Sequence, residues 1–123
     1  MIPVVVLSVR AQEPAAASQK RAAFMRQKLE FSKAALEGLT KDDLAAVADA
    51  ASKLKRLSAA AEWEVPTIPD VEQYLPMTTE FQRRCDEMSK QAKAKNIDGA
   101  TLAYVQLTIN CVNCHKYIRT PNE

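Results

Sequence analysis

Asp98–Arg119 reads DGATLAYVQLTINCVNCHKYIR. Asn96 to Gly99 supplies a turn before it, Pro121 closes it, and the spacing predicts one helix to about Arg119 with Asp98 as its N-cap. Two lines run along that helix. Leu102, Val105, Ile109 and Val112 recur at helical spacing as an apolar stripe, and Thr101, Tyr104, Thr108, Cys111 and His115 trace the line beside it.

The second line ends in Cys111-Val112-Asn113-Cys114-His115. The whole chain has three cysteines and one histidine, and this stretch holds two of the former and the only one of the latter. Cys-x-x-Cys-His is the attachment motif for a c-type haem. Two thiols three apart can each add to a haem vinyl group, and the adjacent imidazole can ligate the iron from the same side. On a helix these residues stand at i, i+3 and i+4, so the three side chains share one face. Tyr104 and Thr108 then lie toward the cofactor or the core just above it. Two other readings stand beside this one. A zinc site wants four soft ligands, and only Cys85 remains as a fourth. A thioredoxin-like dithiol wants strands alternating with helices, which the pattern lacks.

Working back along the chain, Thr78 or Thr79 to about Lys95 predicts a third helix, with Phe81, Cys85, Met88 and Ala92 on its core face. Cys85 is read as a buried small hydrophobe, the alternative being an intermolecular disulfide. Pro66, Pro69 and Pro76 break the pattern before it, so Val65 to Leu75 is expected to be a long crossover, with Trp63 and Tyr74 flanking it. A second helix is expected from about Asp42 to Glu62, burying Leu44, Val47, Ala51, Leu54, Ser58 and Ala61. Its many alanines keep it thin. A first helix is expected from Ser18 near its N-cap to about Leu39, on the stripe Met25, Leu29, Ser32, Leu36 and Leu39, widened by Phe24, Phe31 and Ala35. Gly38 and Thr40 mark the turn that follows.

Four helices joined by short, long and short connections predict an all-α, antiparallel up-down-up-down four-helix bundle with the haem near the C-terminus of the last helix. The chain of 123 residues is long enough for one such domain, assigned to 15–123. Residues 2–9 resemble the tail of a signal-peptide hydrophobic region and Val9-Arg10-Ala11 a small-residue cleavage site, so 1–14 is expected to be a leader remnant or tail of an exported, periplasmic protein. No run of about twenty apolar residues predicts a membrane span. A net charge of +2 makes no case for nucleic acid. With His115 engaged as a ligand no nucleophile–base pair can be built, so the chain is read as a non-enzyme.

In an up-down bundle the end of the fourth helix lies beside the start of the first, which sets Met25 at the end of the bundle that holds His115. A core methionine is the ordinary reading of such a position. The pattern Arg21-Ala-Ala-Phe-Met25-Arg26 early in the first helix, with Cys111-Val-Asn-Cys114-His115-Lys-Tyr-Ile-Arg119 at the end, resembles the cytochrome c′ family, in particular its six-coordinate low-spin relatives. The resemblance covers about Ser18 to Arg119. It implies one haem c on Cys111 and Cys114, His115 as proximal ligand, Met25 as sixth ligand, redox partner proteins, and a homodimer through the first two helices. Pentacoordinate members of the family carry an apolar residue at the matching position and bind nitric oxide or carbon monoxide. Arg21 and Arg119 are candidates to meet a propionate, against the default of surface arginines. Where the family usually has an aromatic before the final Arg, this chain has Ile118, with Tyr117 preceding it. Electron transfer, gas binding, and a metal-binding or purely structural bundle are the three functions that remain.

Overall fold

The structure, a computed structural model, describes residue 2 and residues 15–61 and 71–119. Four helices make it up: α1 Ala15–Thr40, α2 Leu44–Ala59, α3 Val71–Lys93 and α4 Ile97–Arg119. Each packs along its neighbour in chain order, α1 on α2, α2 on α3 and α3 on α4. The α1–α4 seam, which would close the ring, is far more sparsely packed. This is the expected all-α, up-down arrangement. The expected leader in 1–14, Trp63, Pro66, Pro69 and Pro121 lie outside the described residues, apart from exposed Ile2.

The short connections are built from local hydrogen bonds. At the end of α1, Asp43 N–H donates to the Gly38 carbonyl at 2.8 Å and Asp42 N–H to that of Leu39 at 3.3 Å. At the end of α3, Asn96 N–H donates to Gln91 at 2.9 Å and Lys95 N–H to Ala92 at 3.0 Å. Both are Schellman turns, and their left-handed residues are Asp42 (φ 55) and Lys95 (φ 57) rather than glycine. Asp43 then caps α2 by accepting from Ala46 N–H at 3.1 Å. Asn96 caps α4 by accepting from Gly99 N–H at 3.0 Å, which corrects the expected Asp98 cap. Asp98 instead occupies the first turn, where its charge complements the helix dipole.

Two helices start earlier than the Ser and Pro positions predict. α1 begins at Ala15, so Ser18 lies inside it. α3 begins at Val71, not Thr78, and takes Pro76 within it. Pro76 stands in the second turn of α3, where it removes the hydrogen bond its own N–H would have made to the Glu72 carbonyl and crowds that carbonyl, with little more than one turn of helix before it to be disturbed.

α2 and α3 bury the faces read from sequence. Val47, Ala51 and Leu54 meet Phe81, Cys85, Met88 and Ala92 in one core that also holds Ala35, Ala100, Ala103 and Leu107. Met88 is fully buried. Met88→Ala is therefore expected to lower unfolding free energy by about 2–5 kcal/mol in a denaturant titration, since it removes buried atoms and leaves a cavity.

The outer two helices are turned relative to expectation. α1 directs Phe24, Lys28, Phe31, Ala35 and Gly38 inward, while Leu29 and Leu36 are 54 and 48 % exposed. The cause is close approach to α2: a Cβ at Gly38 would stand 2.8 Å from Val47 Cγ2 and 3.0 Å from the Asp43 carbonyl. The glycine that was read as a turn mark is a contact point. In α4 the inward line is Ala100, Ala103, Leu107 and Asn110, and the stripe Leu102, Val105, Ile109 and Val112 faces out. Small Ala100 and Ala103 let α4 lie close on the core, and buried Asn110 is satisfied by donating to the Met77 carbonyl at 3.0 Å.

Candidate functional site

One end of the bundle gathers the start of α1, the end of α2, the start of α3 and the end of α4. Cys111, Cys114 and His115 lie there on the last turns of α4, the thiols half-buried and the imidazole exposed. Arg119 folds back over the same turn, its Nε donating to the His115 carbonyl at 3.2 Å.

Ser32 Oγ and Tyr104 Oη approach to 3.4 Å and set the register of α1 against α4. Met25 lies seven residues before Ser32, and Cys111 seven after Tyr104. Equal helical rises on antiparallel helices put Met25 level with Cys111, and Arg21 level with His115. Met25, Arg21 and Tyr104 are half-buried along this seam. Thr108 is exposed, and its hydroxyl donates back to the Tyr104 carbonyl at 3.0 Å. Sequence reasoning had it facing a cofactor or the core; its hydroxyl is already engaged by its own helix. Of the other methionines, Met88 is sealed in the core and Met77 is half-buried on α3.

Lys28 is the residue that sequence reasoning missed. It stands one turn after Phe24 and one before Phe31, on the inward face, so its position was legible once that face was placed correctly. Its Nζ lies 4.0 Å from the Phe81 ring centroid and 5.0 Å from that of Phe24, held by the negative ring faces. A hollow of about 210 Å³ opens beside it, lined by Phe24, Ser58, Tyr74, Thr78 and Gln82. A larger cleft of about 310 Å³ lies on the α3–α4 surface among Arg83, Arg84 and Gln106, away from the cysteines.

Burial pushes the Cys111 thiol up, and the Lys28 ammonium draws it part of the way back. Cys85 is pushed up to about 12 by burial, again against a smaller pull from Lys28. The folded Cys85 thiol thus stays protonated over a range, from about 9 to about 12, in which the unfolded thiol ionises. Its contribution to stability is complete below about pH 9 and is lost as pH rises toward 12. With Cys111 and Cys114 replaced by alanine, Cys85 is expected to react with iodoacetamide at pH 8 about a thousandfold more slowly folded than in guanidinium. Rapid labelling of the folded chain would contradict its burial.

The donor set bears on the alternatives. Among the described residues no group of three or more His, Cys, Asp or Glu is arranged to hold a metal ion. A dithiol oxidoreductase depends on an acidified thiol, and Cys111 is shifted the opposite way. A haem asks for two thiols and an imidazole on one helical turn, an apolar, loosely closed seam beside them, and room at that end of the bundle. The α4 terminus carries the two thiols and the imidazole beside the sparse α1–α4 seam, and the hollow at Lys28 lies at the same end of the bundle, lined by residues of α1, α2 and α3. Comparison with protein-family models, curated proteins and solved structures finds no match to this chain. No helix among the described residues is long and apolar enough to cross a membrane.

Proposed function

We propose that this chain is a monohaem c-type cytochrome that transfers electrons, of the kind its resemblance to six-coordinate cytochromes c′ implies. The observation that carries the reading is the meeting, at one end of the bundle, of Cys111, Cys114 and His115 with Met25 at the same level across the loosest seam. Haem c would supply one-electron cycling between Fe(II) and Fe(III). Cys111 and Cys114 hold it covalently, which keeps it in place when affinity alone would not. His115 and Met25 would hold the iron, the first through its imidazole and the second through a soft neutral thioether that would favour the reduced state. Carried on two separate helices, His115 and Met25 would keep their positions in both oxidation states. Tyr104, tied to Ser32, braces the seam, and Arg21, level with His115, is placed to meet a propionate. Arg119 is engaged with the His115 carbonyl and steadies the turn that carries the ligand.

The reading also carries export to the periplasm, where haem c is attached, redox proteins as partners, and no catalysed reaction of its own. Expression with a haem-attachment system, followed by denaturation and acid extraction, tests it: the haem is expected to stay with the chain. A chain that emerges colourless overturns it and leaves the structural or metal-binding bundle.

A further inference from the structure

None of the described residues covers the outward face of α4. Leu102, Val105, Ile109 and Val112 are 59, 47, 52 and 45 % exposed. They follow the 3-4-3 spacing of a coiled-coil seam, and the positions that continue it are Asp98 before and Lys116 after. Between these two residues α4 has no Asp, Glu, Lys or Arg. The exposed sides of the other helices are charged and laced by pairs such as Lys33–Glu30, Lys53–Asp49 and Arg83–Glu80. An uncharged apolar stripe at seam spacing is the pattern of a covered helix.

We propose that this face is the interface between two copies of this chain, with α4 lying antiparallel on α4 of the second copy about a two-fold axis. The end charges choose the orientation. With Val105 opposite Ile109 of the second copy, Leu102 meets Val112 and Asp98 meets Lys116, twice by symmetry. A parallel pairing would set Asp98 on Asp98 and Lys116 on Lys116. The axis then passes at Leu107, midway along the stripe. The Ser32–Tyr104 register places Leu29 at that same level on the neighbouring edge of α1, so Leu29 meets its own counterpart. Leu36, on the same edge, meets Ala22 of the second copy. This α1 edge widens the contact beyond one helix seam, toward the roughly 800 Å² per partner of a stable interface. The interface is isologous, as a two-fold requires. It keeps α1 of the first-two-helix dimer that the resemblance implies, and replaces α2, whose outer side is charged, with α4. Nothing in it depends on what Cys111, Cys114 and His115 carry.

Sedimentation of the full chain across a concentration series tests it. The native chain is expected to dimerise. Ile109→Glu, at an exposed position, is expected to be monomeric with an unchanged helical circular dichroism spectrum. Asp98→Lys is expected to weaken the dimer about tenfold, two symmetric contacts each counting about threefold, and Asp98→Lys with Lys116→Asp to recover most of that loss. A chain that is monomeric at every concentration, a dimer indifferent to Ile109→Glu, or a charge swap without recovery overturns the proposal.

Discussion

Changing Cys111 and Cys114 together to alanine is expected to abolish covalent haem retention while leaving the helical fold in place. Native protein, denatured and extracted with acid and organic solvent, should keep one haem by mass; the double variant should keep none. Each single variant should hold the haem through one remaining thioether, at lower yield. The fold survives because both thiols are half-buried at the margin of the core, unlike Cys85 and Met88 at its centre. Circular dichroism of the double variant separates loss of attachment from loss of structure. Haem that persists on the double variant would mean that the motif is not the point of attachment.

Met25→Ala is expected to give the second large effect, at the iron rather than at the thiols. The native protein should show a low-spin spectrum in both oxidation states. The variant should become five-coordinate and high-spin, its potential should fall because the ligand that favours reduced iron is gone, and carbon monoxide should bind its reduced form at least about tenfold more readily. Met88→Ala is the control: that thioether is sealed on α3, so its loss should cost stability and leave the spectrum alone. A native protein that is already high-spin and takes up carbon monoxide would transfer the reading to a gas-binding haem protein. An unchanged spectrum in Met25→Ala would assign the sixth ligand elsewhere.

The half-buried placement of Lys28 against the Phe24 and Phe81 rings shows how much a one-residue rotation matters. Counting apolar residues along α1 favoured the line through Met25, Leu29 and Leu36, because leucines outweigh alanine and glycine on any hydropathy count. Packing chose the line through Ala35 and Gly38, where α2 comes nearest. The rotation sets Met25 on the edge facing α4 rather than at the centre of the core, and it turns Leu29 and Leu36 outward. The same competition decided α4, where the small Ala100 and Ala103, together with Leu107, won the interior over Leu102, Val105, Ile109 and Val112. Their exposure is what the proposed dimer answers.

The sequence by itself determined the number and order of the helices, the buried faces of α2 and α3, and the thiol–thiol–imidazole turn near the end of α4. These rest on local periodicity and on residue chemistry, which are complete within a few turns of chain. Only the tertiary structure decided the rotation of α1 and α4, the admission of Pro76 into α3, the placement of Lys28 over the Phe24 and Phe81 rings, and the α1–α4 register that levels Met25 with Cys111. Those depend on how closely two helices can approach, which small residues far apart in sequence set together.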